Sequence, residues 1–222
     1  MSSLRTQSET VLHALAILLL SALTLSIASA GSLTIVNSNF SAVAVQCSSG
    51  WAYESYMGGN CESVGPQQDF NSEVGIGWRF ATGTYESYGS GITNANTSFN
   101  PPPFTGLPFS QAAIVQGSGA VRAAIAQKIT GFVPGQVYKL TFYLGSRYAD
   151  GCCDGNQTVL VTLDGKPIGF WKLASFTPFT LRTAVFRADS GLSHILEFSG
   201  QSEGDHTAFF SDVGIETVAD QK

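Results

Sequence analysis

Charged residues are scarce in this chain of 222 residues, where only 12% of the positions are Asp, Glu, Lys or Arg. Of these, 11 are basic and 16 are acidic, which makes the net charge −5. Nucleic acids and anionic membranes attract clustered Lys and Arg. The mild negative charge therefore argues against nucleic acid as a partner, and against a membrane surface as a partner of the mature chain.

Helix-forming sequence is also lacking, because no run rich in Ala, Leu, Glu and Lys occurs after residue 30. The glycine-rich fingerprints of P-loop and dinucleotide-binding proteins are absent too. Gly is abundant instead, with 24 residues, and so are Ser, Thr and the aromatic residues. This composition is typical of a strand-and-turn protein and argues against a helical bundle.

A long apolar run lies near the N-terminus, from Val11 to Ala28, and the basic residue Arg5 precedes it. The run ends in Ala28-Ser-Ala30, with small residues at the two positions that a signal peptidase reads. We predict a signal peptide over residues 1–30, cleaved before Gly31, and export to the extracellular space or the periplasm. An uncleaved membrane anchor is the competing interpretation, but no basic stop-transfer cluster follows the run.

Four cysteines agree with export. Cys47 and Cys61 bracket a loop rich in Gly, Ser and Tyr, and Cys152 is followed directly by Cys153. We favour a Cys47–Cys61 disulfide together with a vicinal Cys152–Cys153 disulfide, and the alternative joins both N-terminal cysteines to the adjacent pair. A zinc site does not fit, because no CxxC motif or matching His pair is present.

From Leu107 onward, apolar residues alternate with period two, which is typical of half-buried strands. The predicted strands are 112–116, 121–129, 137–144, 158–163, 167–173, 181–186, 194–198 and 208–215. A turn is expected at Phe132–Gln136 and a hairpin at Asp164-Gly165. Residues 31–222 are therefore predicted to form a single all-β sandwich or barrel domain.

The first half of the chain is less regular. We expect strands at 33–36, 43–46 and 74–80. Between them lie two long loops, 47–73 and 81–110, which are rich in Gly, Asn, Ser and Tyr. Loops of this length inside a compact domain are usually functional or disordered.

Several segments in a fixed order carry a resemblance to a known family. They read QAAIVQ from Gln111, AIAQKITGFVPGQVYKLTFYLGSR up to Arg147, TVLVTLDG from Thr158, HTAFFSDVGI from His206, and the opening elements Ile35–Phe40 and Gly77-Trp78. The chain resembles the galactose-binding-like jelly-roll domains of secreted bacterial proteins and of a plant cell-wall protein family. This resemblance covers the mature chain, and it implies a jelly-roll β-sandwich with a non-catalytic role, often adhesion to polysaccharide.

The resemblance also raises the question of a metal. Related carbohydrate-binding sandwiches often hold a structural calcium ion with acidic ligands from the opening and closing motifs. At those positions this chain has Ser41 and Ser211, and only Asp212 is acidic. Hydroxyls are poorer ligands than carboxylates for a hard dication, so no cofactor is predicted, and a structural calcium is left as an alternative.

Sugar recognition needs flat apolar faces for pyranose C–H groups and planar polar groups for hydroxyls. The predicted ligand-binding residues combine both kinds, and they are Trp51, Tyr85, Tyr88, Arg147, Asp150 and Asn156. Loop aromatics can instead plug the ends of a sandwich, and Trp78 is expected in the core. Arg147 ends an apolar strand and needs an acceptor, which a buried salt bridge or loop carbonyls could supply as well as a ligand.

One enzyme-like motif is rejected. Gly200-Gln-Ser-Glu-Gly204 matches G-x-S-x-G, and Asp205 and His206 follow it. A nucleophile elbow joins a strand to a helix of a parallel sheet, whereas this motif joins two predicted strands. No acidic residue stands in a recognisable glycosidase context either, so we predict no enzymatic activity.

The sequence therefore predicts a secreted, non-catalytic carbohydrate-binding or cell-surface recognition module with a polysaccharide or glycan as its partner. The alternative is a structural β-sandwich of the cell surface that binds a protein partner and no sugar. Such a protein would expose an apolar patch on a sheet face. Three Asn-x-Ser/Thr triplets, at Asn39, Asn96 and Asn156, are glycan acceptors only if the source glycosylates its exported proteins.

Overall fold

Twelve β-strands make up the described part of the chain. The computed structural model describes residues 31–42, 45, 49–53, 77–82, 89–118, 121–149 and 153–219. Within these ranges, no helix has the length and hydrophobicity needed to cross a membrane. The predicted signal peptide, residues 1–30, lies outside the described residues and stays a prediction.

The strands form two antiparallel layers. The first layer contains β1 (Ser32–Leu33), β2 (Trp51–Tyr53), β4 (Ser90–Asn94), β5 (Gln111–Ser118), β7 (Val137–Ser146), β10 (Thr180–Arg187) and β12 (His206–Thr217). Its order is β10-β7-β12-β5-β4-β2, and β1 pairs with β12. The second layer contains β3 (Arg79–Thr82), β6 (Val121–Thr130), β8 (Thr158–Leu163), β9 (Lys166–Lys172) and β11 (Ser193–Gly200), in the order β3-β6-β11-β8-β9. The fold is the all-β jelly-roll sandwich that the sequence predicts.

The strands from β5 to β12 follow the period-two pattern. In β7, for example, Tyr138, Leu140, Phe142 and Leu144 are completely buried. The predicted β8–β9 hairpin is present, and Asp164 and Gly165 have φ values of 50° and 76°. Positive φ at both central residues is what a type I′ turn requires.

Two strands are missing from the sequence prediction, which is wrong where it assigns loop to β2 (within 47–73) and to β4 (within 81–110). β4 reads Ser-Gly-Ile-Thr-Asn and has one large apolar residue, Ile92, so no alternation is visible in it. The strand forms because β5 and β2 supply hydrogen-bond partners on its two sides. Complete burial of Ile92 then anchors it to the core.

The N-terminal strand is shorter than expected. The predicted strand 33–36 is observed only as β1, because a turn follows in which Asn37 and Phe40 have φ values of 50° and 58°. Of the predicted strand 43–46, only Val45 is described. Of the predicted strand 74–80, residues 74–76 lie outside the described residues, and β3 begins at Arg79.

The main core lies between the layers and is built on aromatic rings. Phe198 stacks on Phe210 with ring centroids 4.0 Å apart, and Phe142 meets Phe198 edge-on at 5.0 Å. Trp78 is buried against Phe210, as expected, and its indole N–H donates to the carbonyl of Asn37 at 3.0 Å. Aromatic pairs of this kind add stability beyond the area that they bury.

A second apolar cluster lies on the outer face of the first layer. Residues 95–110, which we call the covering segment, place the buried rings of Phe99, Phe104 and Phe109 against that face. Gly145 in β7 makes the close approach possible, because a Cβ there would lie 3.0 Å from the ring of Pro102. The second half of the predicted loop 81–110 is therefore packed onto the sheet.

Candidate functional site

Distant parts of the chain meet at one end of the sandwich. We call this the loop end, and it is the end where β7 stops at Ser146 and β12 begins at His206. Just beyond β7, the Arg147 N–H donates to the carbonyl of Thr207 at 3.1 Å, and the Thr207 N–H donates to the carbonyl of Asp154 at 2.9 Å. These bonds hold the β7–β8 connection against the start of β12.

Arg147, predicted to contact a ligand, is engaged inside the protein. Its Nη1 lies 3.1 Å from Oδ1 of Asp205, its Nη2 donates to the carbonyl of Ser98 at 3.1 Å, and its guanidinium lies 5.1 Å from the ring of Phe99. The side chain is only 12% exposed. The salt bridge and the loop carbonyl that the sequence left open as acceptors are therefore both present, and a ligand contact of Arg147 stays a prediction.

Asp154 and His206 form a hydrogen-bonded pair. Nδ1 of His206 lies 2.5 Å from Oδ1 of Asp154, and the two side chains are 30% and 14% exposed. Asn156 adds a backbone N–H to the same oxygen at 2.8 Å and an amide N–H to the other oxygen at 2.7 Å. Burial alone would raise the pKa of Asp154, but the hydrogen bonds from Asn156 and His206 outweigh it and lower the pKa.

The β9–β10 connection is tied to the same place. Oδ1 of Asn156 accepts the N–H of Ser175 at 3.2 Å, and Oγ of Ser175 accepts the N–H of Gly155 at 2.9 Å. The N–H of Phe176 donates to the carbonyl of Arg147 at 3.1 Å. A Cβ at Gly155 would lie 2.7 Å from that carbonyl oxygen, so the close approach depends on glycine.

These bonds present an aromatic ring to solvent. Phe176 is 47% exposed and has a φ of 64°, which is rare for a bulky residue. Its ring centroid lies 5.4 Å from that of the half-buried Tyr148. The N–H of Tyr148 donates to the carbonyl of Asn100 in the covering segment at 2.8 Å. The ring of Phe176 therefore packs on Tyr148, whose backbone is hydrogen-bonded to the covering segment.

The candidate site consists of Phe176, Tyr148, Asn156 and the Asp154–His206 pair. At one end of the sandwich it combines an apolar ring face with amide, carboxylate and imidazole groups, and the Asn156 amide is bonded to the backbone of Ser175, next to Phe176. This is the chemistry that sugar recognition needs. Of the predicted site residues, the structure brings Asn156 into this group and places Arg147 behind it. Asp154 was also expected among the polar groups of the site. Phe176, Tyr148 and His206 were not expected as ligand contacts, because their roles arise from contacts between residues up to 52 positions apart.

The remaining predicted ligand residues divide into two groups. Trp51 is half-buried and packs edge-on against Phe99 with centroids 4.8 Å apart, so it belongs to the second apolar cluster. The ring of Phe99 also lies against Arg147, which links these two predicted residues. Tyr85, Tyr88 and Asp150 lie outside the described residues.

Among the cysteines, only Cys153 is described, and it is disulfide-bonded. Cys47, Cys61 and Cys152 lie outside the described residues. The pairing therefore stays a prediction, with its two alternatives.

The place where a calcium ion would be expected is closed by hydrogen bonds. The hydroxyl of Ser211 lies within hydrogen-bonding distance of two carbonyl oxygens, that of Gln111 at 2.9 Å and that of Asn39 at 3.2 Å. The hydroxyl of Ser41 donates to the same Asn39 carbonyl at 3.1 Å. The hydroxyls are thus engaged with carbonyl oxygens, and Asp212 is the one carboxylate among the three expected positions. Such a donor set does not fit calcium, which prefers several carboxylate ligands.

The G-x-S-x-G motif forms part of the β11–β12 connection. The hydroxyl of Ser202 donates to the carbonyl of Asn156 at 3.1 Å and accepts the N–H of Thr158 at 3.0 Å. The side-chain partner of His206 is Asp154 and not its neighbour Asp205. The motif thus has a structural role, in which Ser202 joins the β11–β12 connection to the start of β8.

The chain matches no known protein-family profile and no curated protein sequence. Similarity to solved structures is substantial, however. The Stig cyclase Fisc from Fischerella sp. TAU, in complex with (3Z)-3-(1-methyl-2-pyrrolidinylidene)-3H-indole, has a TM-score of 0.59 and 14% sequence identity. The alignment covers 86% of this chain and 98% of the cyclase.

A structure of a cyclase from Fischerella sp. TAU without a named ligand gives the same TM-score and identity, with 87% of this chain and 100% of that chain covered. Carbohydrate-binding modules are also among the neighbours. TmCBM61 in complex with beta-1,4-galactotriose has a TM-score of 0.42 and 12% identity, covering 66% of this chain and 89% of that one. At these identities, the cyclases share the fold of this chain, and the similarity extends no further than the fold.

Proposed function

We propose that this protein is a non-catalytic module that binds carbohydrate at the loop end, outside the cell. The observation that carries the proposal is the ring of Phe176, which is exposed to solvent although its backbone is held in the left-handed region. Such a conformation costs about 1–3 kcal/mol in a residue other than glycine. The hydrogen bonds that maintain this backbone conformation do not require an exposed ring. Stacking of a sugar on the ring does require one.

The polar groups around the ring support the same function. Asn156 and the Asp154–His206 pair present donors and acceptors in fixed orientations, because each is held by a second hydrogen bond within the loop end. Preorganised polar groups beside an aromatic surface are typical of small-ligand sites. A polysaccharide chain lying on Phe176 would contact these groups with its hydroxyls.

The absence of catalysis is part of the proposal. Both oxygens of Asp154 accept hydrogen bonds from protein groups, and the hydroxyl of Ser202 is engaged with two backbone groups. Because these bonds hold the Asp154 carboxylate and the Ser202 hydroxyl as parts of the loop end, we assign neither of them a role as nucleophile. Export is supported by the disulfide at Cys153, since disulfides persist in oxidising compartments.

The test is affinity gel electrophoresis of the full chain on a panel of neutral and acidic polysaccharides. We expect at least one polysaccharide to retard the wild-type chain. Phe176→Ala should raise the apparent Kd for that polysaccharide about tenfold, which corresponds to a loss of about 1.4 kcal/mol in binding free energy. The matched control is Phe170→Ala, since Phe170 on β9 is an even more exposed ring, at 64% against 47% for Phe176, and lies outside the loop end.

Two results would overturn this function. One is that no polysaccharide in the gel slows the migration of the wild-type chain. The other is equal retention of the Phe176→Ala and wild-type chains.

One observation favours a second candidate function, the binding of a protein partner. Leu181 and Val185 are 52% and 64% exposed on the same side of β10. β10 lies at the edge of the first layer, where an additional strand or a second copy could pair.

A further inference from the structure

Three Asn-x-Ser/Thr triplets occur in the chain, and they differ in solvent exposure and hydrogen bonding. They begin at Asn39, Asn96 and Asn156. An N-linked glycan is bulky and attaches to the side-chain amide nitrogen, so the modified side chain must point into solvent in the finished protein. The hydrogen bonds and burial of each triplet therefore distinguish among the three.

Asn39 belongs to the closed junction between the opening turn and β12. Its Oδ1 accepts the N–H of Ser41 at 3.1 Å, and its carbonyl accepts the hydroxyls of Ser41 and Ser211. The middle residue, Phe40, is completely buried. The acceptor hydroxyl of this triplet is thus engaged within the protein.

Asn156 lies inside the loop end. Its Nδ2, the atom that would carry the glycan, donates to Oδ2 of Asp154 at 2.7 Å. The next residue, Gln157, is completely buried and donates to the carbonyl of His206 at 2.6 Å. A glycan on this nitrogen would displace groups that hold the loop end together.

Asn96 differs from both. It is exposed, with a φ of 60°, in the turn that follows β4, and Asn tolerates this conformation well. Neither its side chain nor the hydroxyl of Ser98 forms a hydrogen bond with the described residues. The carbonyl of Ser98, by contrast, is fixed by Arg147. The turn is therefore well anchored, while its two reactive groups face solvent.

We propose that Asn96 is an N-glycosylation site of this chain and that Asn39 and Asn156 are not modified. In the reaction, Nδ2 of Asn96 attacks C1 of the sugar in a lipid-diphosphate-linked oligosaccharide. A C1–N bond forms, the C1–O bond to the diphosphate breaks, the amide loses one proton and the lipid diphosphate leaves. The proposal rests on export and is independent of sugar binding at Phe176.

The test is expression of the full chain behind the secretory leader of a eukaryotic host that performs N-glycosylation. Enzymatic release of glycans converts each modified Asn to Asp, and peptide mass mapping locates the conversion. We expect it at Asn96 alone. Ser98→Ala, which removes the acceptor hydroxyl and leaves the anchoring carbonyl, should abolish the glycan, whereas Ser41→Ala and Thr158→Ala should leave it in place.

An unmodified Asn96 in the exported protein would overturn the proposal. So would occupancy at Asn39 or Asn156, or a Ser98→Ala variant that keeps its glycan. Because the host leader directs export, failure of this test is distinguishable from failure of polysaccharide binding.

Discussion

Among the described residues, two phenylalanines adopt the left-handed backbone conformation, and they differ in whether their rings are buried. Phe40, with a φ of 58°, is completely buried and packs 5.0 Å from the ring of Trp78. Phe176, with a φ of 64°, remains 47% exposed. Burial of apolar area offsets the strain at Phe40, and no comparable gain is available at Phe176. The contrast at the scale of single residues supports a binding role for Phe176.

Asp154 makes the stability of the loop end dependent on pH. Because its pKa is lowered in the folded protein, the carboxylate contributes stability that is fully present above the unfolded pKa of about 3.9. That contribution is lost as the pH falls through the lower folded pKa. We expect Asp154→Asn to be less stable than wild type at neutral pH, and the difference in the free energy of unfolding to shrink as the pH falls below about 4.

Urea denaturation across a pH series measures this difference. Glu203→Gln is the control, because Glu203 is exposed in the β11–β12 connection. A stability difference for Asp154→Asn that stays constant from neutral to acidic pH would contradict the role assigned to the carboxylate.

At the scale of elements, the covering segment contacts two of the predicted site residues, Trp51 and Arg147. Its second apolar cluster is separate from the main core, and Phe104 lies 5.4 Å from Phe109 and 5.3 Å from Phe179. The same segment supplies the carbonyl that binds Arg147 and the one that binds the backbone of Tyr148. Packing of this segment therefore positions the back of the candidate site.

Phe104→Ala should release the covering segment. We expect a loss of about 3–5 kcal/mol in the free energy of unfolding, which is the usual cost of truncating a buried phenylalanine, and new proteolytic cleavage within 95–110. The exposed Phe170 provides the matched control, and Phe170→Ala should change stability by no more than about 0.5 kcal/mol. Equal effects of the two variants, or cleavage confined to other regions, would show that the segment is not held by this cluster.

At the scale of the whole molecule, the open sheet edges decide whether copies associate. On β10 the exposed Leu181 and Val185 are accompanied by Arg182 and Arg187. A stable interface buries about 800 Å² per partner, which two side chains do not provide. Charged residues on an edge strand also discourage pairing with another strand.

We therefore expect the full chain to be monomeric in sedimentation equilibrium at micromolar concentration. Replacing Leu181 and Val185 together by Ser should leave the sedimentation profile unchanged, because these side chains contribute to no interface. A concentration-dependent dimer that this double substitution dissolves would instead favour the second candidate function, a protein-partner surface on β10.

The sequence by itself determined the all-β class and most of the strands from β5 to β12, because alternation of apolar residues is a local property of each strand. It also determined the hairpin at Asp164-Gly165, since few residues tolerate positive φ at both turn positions. These features depend on neighbours within a few positions along the chain. The core position of Trp78 was expected instead from the family resemblance that Gly77-Trp78 carries.

Only the tertiary structure decided the candidate site. The Asp154–His206 pair, the orientation of Phe176 and the engagement of Arg147 by Asp205 and Ser98 all arise where separate connections meet at one end of the sandwich. β4 likewise forms because two neighbouring strands pair with it. Contacts between residues that are tens of positions apart leave no periodic signal in the sequence, so they become visible only once the sheets are assembled.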